Sequence, residues 1–246
     1  MKILKTLFIA LVLVAVAPAN AQSVDEIIDN YFENTGGADA WGKLEAIKFT
    51  GTANAQGMTI PIEMIQTKDG KQRLKIDIQG QEIVQYAFDG ETMWTTNFMT
   101  MQAEKNDAET TENMKKSSAK SFPSSFHNYK EKGYTAELLG TETMEGTETF
   151  KVKLTMDPVM VDGVETPQVV TYYFDTENFV PIATESEVTQ GPMKGQVIKD
   201  TQSEYEEVDG LYFPFSMTMG GQPITITAIE LNPELDDKMF AFPEGE

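Results

Sequence analysis

From Ile47 to the end, the chain alternates apolar and polar residues in short runs broken by the turn pairs Asp69-Gly70, Asp89-Gly90, Asp209-Gly210 and Gly220-Gly221. Alternation with a period of two puts one set of side chains on each face of a strand, so the pattern predicts a mainly β, α+β protein built on one large antiparallel sheet. Met58, Ile60, Ile62 and Met64, then Leu74, Ile76 and Ile78 after the Asp69-Gly70 turn, read as a hairpin with one dry and one wet face. Pro61 lacks an amide proton and marks an edge or bulge there. Further strands are expected over 83–88, 92–97, 134–139, 147–156, 169–174, 180–189, 196–206, 211–219 and 223–231, about twelve in all. Adjacent Ala228 and Ile229 shift the phase of the last run, which predicts a bulge.

Two regions break this rhythm. Ser23-Val24-Asp25-Glu26 has the spacing of a capping box, and Ile27, Ile28, Tyr31 and Phe32 follow on one helical face until Gly36-Gly37. A second short helix is expected from Ala38 to Leu44, with Trp41 and Leu44 on one side. Residues 101–121 are rich in Glu, Lys, Asn and Ser, and read either as a weakly amphipathic helix or as a flap anchored by Phe122, Phe126 and Tyr129. The stretch Asp157 to Pro167 reads as a loop.

A dozen strands at ~4.8 Å spacing and ~20 Å length present an apolar face of roughly 1,100 Å². Three short helices, each ~10 Å wide and rising 1.5 Å per residue, cover at most about 500 Å² of it. The sheet is therefore expected to curl over its own dry face into an incomplete β-barrel covered by a few short helices. Methionines and phenylalanines are frequent on the presumed inner phase, and methionine adapts its shape to apolar guests. A packed core and an apolar pocket both fit that pattern.

Composition narrows the function classes. Lys2 and Lys5, an apolar run from Leu7 to Ala17 and the small-residue pattern Ala19-Asn20-Ala21 read as a secretory signal peptide cut after Ala21. This leaves residues 22–246 as a single domain, since no Pro/Gly/Ser linker interrupts them. The net charge of -20 repels phosphate backbones, so nucleic acid is not an expected partner. With no cysteine, the exported chain must hold its fold without disulfides.

Catalytic chemistry is sparse. His127 is the only histidine, Arg73 the only arginine, and no nucleophile elbow, zinc-binding helix, P-loop or EF-hand appears. The Asp157 to Glu165 stretch and the Asp236-Asp237 pair lack the regular spacing of calcium ligands and read as solvated acids. No catalytic residue, metal or cofactor is expected. Arg73 reads as facing water or as a donor at a pocket rim.

Several segments together resemble the LolA/LolB-like superfamily of outer-membrane lipoprotein-sorting proteins. They are Gly36-Gly37 before Lys43-Leu44-Glu45-Ala46-Ile47, Phe88-Asp89-Gly90 before Trp94, Tyr172-Tyr173-Phe174-Asp175 before Pro181-Ile182, Glu207-Val208-Asp209-Gly210-Leu211-Tyr212-Phe213-Pro214, and Ile229-Glu230-Leu231-Asn232-Pro233. The resemblance implies a periplasmic half-barrel whose apolar interior holds the acyl chains of a lipid or a lipidated protein, with membrane-associated donor or acceptor proteins as partners. Carriers of the family hold cargo with an arginine in a Lys-Arg-Pro-Asn stretch. The matching stretch here is Thr67-Lys68-Asp69-Gly70, which keeps a charge at Lys68 without the forked donor.

The resulting expectation is a non-enzymatic, monomeric carrier. Its pocket would be lined by Ile60, Ile62, Met64, Leu74, Ile76, Ile78, Trp94, Phe150, Val152, Leu154, Phe213, Phe215 and Met217, with Lys68 and Arg73 as polar contacts. Rival readings are a binding or assembly module with a packed interior and a functional acidic surface, an outer-membrane barrel, and a carboxylate-dependent enzyme.

Overall fold

A computed structural model describes residues 22–55, 57–189 and 193–243. The signal peptide assigned to residues 1–21 lies outside the described residues. Helices α1 (Val24–Asn34) and α2 (Ala38–Trp41) precede β1 (Ala46–Ala55), β2 (Met58–Thr67), β3 (Gln72–Ile78), β4 (Gln81–Phe88), β5 (Met93–Asn97) and β6 (Gln102–Lys105). Helix α3 (Ala108–Ser121) leads to β7 (Thr135–Met144), β8 (Thr147–Val161), β9 (Val164–Asp175), β10 (Pro181–Glu187), β11 (Val197–Val208), β12 (Leu211–Met219) and β13 (Gln222–Leu231).

All thirteen strands join one antiparallel sheet in the order β6-β5-β4-β3-β2-β1-β13-β12-β11-β10-β9-β8-β7. Apart from β1 beside β13, every neighbour in space is a neighbour in sequence. The sheet does not close, because β6 and β7 are free edges. An outer-membrane barrel leaves no edge in the bilayer, so this topology sets that reading aside.

The fold curls as the area argument requires. In the sheet order β5 and β8 lie ten strand steps apart, about 48 Å if the sheet were flat. Helix α3 contacts both, yet fourteen residues of helix span only about 21 Å. The two wings must therefore bend toward each other. Gly51 relieves the crowding at the junction of β1 and β13, where the register slips between Thr50 and Gly51 and leaves Thr227 as the extra residue. A Cβ at Gly51 would sit 2.3 Å from Thr225 O. The bulge falls one residue before the Ala228-Ile229 phase shift.

Four sequence expectations are adjusted. Of the two readings of residues 101–121 the helix holds, as the fourteen-residue α3, with the short strand β6 added before it. Asp157 to Pro167 is no loop, because β8 and β9 continue through it to a turn at Asp162-Gly163. Cross-strand pairing there satisfies backbone groups that a loop would leave to water. The second helix closes after one turn at Trp41. Pro61 lies inside β2, opposite Thr52, but β2 begins pairing with β3 only at Ile62, so the proline needs a partner on one side alone.

Candidate functional site

The register assigns each side chain to a face. Across β13, β1, β2, β3 and β4, one row runs Ile229, Phe49, Met64, Leu74, Tyr86, and the next runs Ile226, Gly51, Ile62, Ile76, Ile83. These rows belong to the face that carries α1 and α2, because Ile226 and Ile229 share a core with Ile27, Ile28, Tyr31, Phe32 and Trp41. Helix α3 also lies against this face. It lines a 260 Å³ pocket in which Met93 of β5 and Met114 face Val159, Val161 and Gln168 of the opposite wing.

The helices fill one half of the concave face. A capping box starts α1, with Ser23 Oγ accepting from Glu26 N at 3.2 Å and Glu26 Oε2 accepting from Ser23 N at 2.7 Å. Its buried side then packs by aromatic contacts. Trp41 lies 4.9 Å from Phe213, Tyr31 lies 5.8 Å from Phe174, and Phe126 lies 4.7 Å from Tyr172 between ring centroids. Burial pushes the Tyr172 phenol up to about 12 and raises that of Tyr31 further. This half is filled by the protein's own aromatic and aliphatic side chains.

The other half, over β2 to β4, is only half covered. Ile60, Ile62, Leu74, Ile76, Ile78 and Tyr86 are half-buried there, and Met64 and Ile83 are buried beside them in the same rows. Burial raises the Tyr86 phenol, as an apolar surrounding does. Ile60, Leu74, Ile76 and Ile78 stand outside the main core cluster that the helices share with the sheet, and Ile62 borders it.

The sequence-derived pocket residues thus separate into groups. Val152, Leu154 and Phe213 are 0%, 0% and 3% exposed beneath the helical plug. Phe150, Phe215 and Met217 are half-buried against the same core. Ile60, Ile62, Met64, Leu74, Ile76 and Ile78 line the open half. Trp94 stands on the opposite, convex face, opposite Ala87 in the ladder. Its Nε1 donates to Phe240 O at 2.9 Å, under a C-terminal segment in which Phe240 is fully buried. Met93, one of the methionines of the presumed inner phase, lies on the concave face, and Phe49, Ile83 and Tyr86 share that face without having been among the expected lining residues. Their phase with Ile47, Ile76 and Leu74 was readable only once strand register was known.

Neither expected polar contact faces the concave side. Arg73 Nη1 donates to Glu63 Oε1 at 2.9 Å on the convex face. Lys68 Nζ lies 2.6 Å from Glu45 Oε1 at the surface, where Lys68, Lys71, Asp237 and Phe240 border a separate 420 Å³ cleft. His127 Nε2 lies 3.2 Å from Ala38 O in a cleft beside α1, and burial lowers its imidazole pKa. Asp236 accepts from Lys238 N, and Asp237 pairs with Lys71 at 2.7 Å. Among the described residues, no group of three His, Cys, Asp or Glu side chains is placed to hold a metal ion.

Helix α3 closes the gap between the wings through polar contacts. Asn113 Nδ2 donates to Met160 O at 2.7 Å, and Asn113 Oδ1 accepts from Met160 N at 2.8 Å. Glu109 accepts from the amides of Asp162 and Gly163 at 3.0 and 2.9 Å. Lys115 pairs with Glu91 and Lys120 with Asp157. Gly70, with φ +88°, lets the helix settle on the β2–β3 turn, since a Cβ there would lie 2.7 Å from Ser118 Oγ.

No model of a protein family matches the sequence, and no curated protein matches it. Solved structures do match. A DUF1329 family protein from Desulfovibrio piger is 15% identical with a TM-score of 0.53, covering 89% of this chain and 98% of that one. A LolA superfamily protein, NE2245, from Nitrosomonas europaea is 14% identical with a TM-score of 0.52, covering 89% of this chain and 97% of that one. Both matches extend over most of either chain, so this chain shares its fold with that LolA superfamily protein and with the DUF1329 family protein.

Proposed function

We propose that the chain is an exported, monomeric, non-enzymatic carrier that shelters acyl chains on the open half of its concave face. The observation that carries this reading is the half-buried apolar strip Ile60, Ile62, Leu74, Ile76 and Ile78, held on rigid strands beside a packed plug. Each methylene moved from water onto such a surface gains ~0.8 kcal/mol, so a single long chain supplies enough driving force for reversible capture. The cargo is a lipid or a lipidated protein, and outer-membrane lipoprotein sorting is the process that the family resemblance suggests. The amino-terminal apolar run supports export to the periplasm, and the reading invokes no cofactor.

The rival, an assembly module acting through its acidic surface, draws on the solid packing of Val152, Leu154 and Phe213. Delipidated protein titrated with the neutral dye Nile red separates the two. The carrier is expected to bind the dye saturably, and Ile62→Asp to abolish binding while leaving the circular dichroism unchanged. Wild-type protein that neither binds the dye nor retains lipid in native mass spectrometry overturns the carrier.

A further inference from the structure

Six charged side chains occur in β1 to β4, namely Lys48, Glu63, Arg73, Lys75, Asp77 and Glu82. The register puts every one of them on the convex face. Lys48 stands opposite Glu230 and Ile65, Glu63 opposite Lys75, and Asp77 opposite Glu82. They pair with one another there, through Arg73 with Glu63 at 2.9 Å, Lys75 with Glu82 at 2.8 Å, and Lys48 with Glu230. The polar residues on the concave phase of these strands, Gln66, Gln72 and Gln81, are neutral amides.

Alternation alone does not require this. A half-exposed wall tolerates a lysine or an arginine whose stem lies on apolar surface and whose head reaches water. Here strands β1 to β4 offer an ionised head group no partner, Lys115 and Lys120 of the neighbouring α3 are paired with Glu91 and Asp157, and the whole chain carries a net charge of -20 that repels anions.

We infer that the cargo is an uncharged acyl lipid of the glyceride type, and that lipids with an ionised phosphate or carboxylate are excluded. This rests on the carrier reading and adds the chemical class of its ligand. Hydrocarbon tails lie along the Ile62, Ile76 and Leu74 rows. The ester-bearing head meets the paired amides of Gln66 and Gln72 at the β2–β3 turn end of the strands, which donate and accept hydrogen bonds without ionic demand.

The test is displacement of Nile red by two competitors with the same tails, dioctanoylglycerol and dioctanoylphosphatidic acid, each below its micelle-forming concentration. Dioctanoylglycerol is expected to displace the dye at about one-tenth the concentration of the phosphatidic acid, a gap of ~1.4 kcal/mol. Ile76→Lys, at a half-exposed position and checked by circular dichroism, is expected to close or reverse that gap. Arg73→Gln on the convex face is expected to leave it unchanged. Equal displacement by both competitors overturns the selectivity and leaves the carrier intact. A changed gap in Arg73→Gln also overturns it, because the convex arginine would then be reading the head group. Failure of wild-type protein to bind Nile red removes the carrier and this inference with it.

Discussion

Gly51 shows how a single residue permits the close approach of two strands at a bulge. A methyl group at this position would collide with the backbone of Thr225, and backbone cannot yield as a flexible side chain can. Gly51→Ala is therefore expected to destabilise the protein by about 1–3 kcal/mol, read as a lower urea midpoint. Asn232 teaches a related lesson. The Ile229-Glu230-Leu231-Asn232-Pro233 segment was legible as a family-like motif, but its physical reason lies in space. Asn232 adopts φ +51° and its Oδ1 accepts from Glu45 N at 2.7 Å, which ties the end of β13 to the start of β1. Asp25 gives a pH signature. Its hydrogen bonds from Lys130 and Tyr129 hold the carboxyl below its usual range, so the unfolded chain binds the proton more readily than the folded one. The stabilisation is present above the ordinary carboxylate pKa and fades as pH falls through the lowered value. Asp25→Asn should thus weaken the fold near neutral pH and converge on wild type as the pH falls through the lowered carboxyl pKa, as urea unfolding across a pH series will show.

Among the elements, the C-terminal segment has the most unexpected role. Trp94 follows the alternation of its strand, but alternation does not say which phase faces in when both faces are covered. Phe240 supplies the second cover, accepting from Trp94 Nε1 at 2.9 Å, while Phe242 meets the indole edge-on at 6.2 Å. Phe240→Ala is expected to cost about 3–5 kcal/mol and to shift Trp94 emission to longer wavelength in a Trp41→Phe background. An unchanged spectrum would contradict a buried indole beneath this segment. Helix α3 was similarly obscure, since its few apolar residues give little periodic signal. It is held by Asn113, Glu109 and Lys120, whose partners Met160, Asp162, Gly163 and Asp157 all lie in or beside the β8–β9 hairpin. Side chains that anchor through distant backbone leave no local pattern in the sequence.

At the scale of the whole molecule, one ladder decides the assembly. Eleven of the twelve ladders join strands that follow one another in sequence, but β1 meets β13 only when almost the entire described chain is in place, with Ile47 opposite Leu231. Loop closure of that length delays the rewarding contacts, so refolding is expected in milliseconds to seconds rather than microseconds. Stopped-flow fluorescence will measure it, and Gly51→Ala at the β1–β13 junction should slow the folding limb if that ladder forms in the transition state.

The sequence by itself determined the class of the fold. Period-two alternation, the glycine turn pairs and the Ser23 capping box required one wide antiparallel sheet with a short helical lead, and its area required the sheet to curl. Tertiary structure alone decided which apolar residues became core and which remained half-open wall. Val152 and Ile76 carry the same alternation signal. The first lies under the aromatic plug and the second beside it, because burial depends on what an element meets across space rather than on its own pattern.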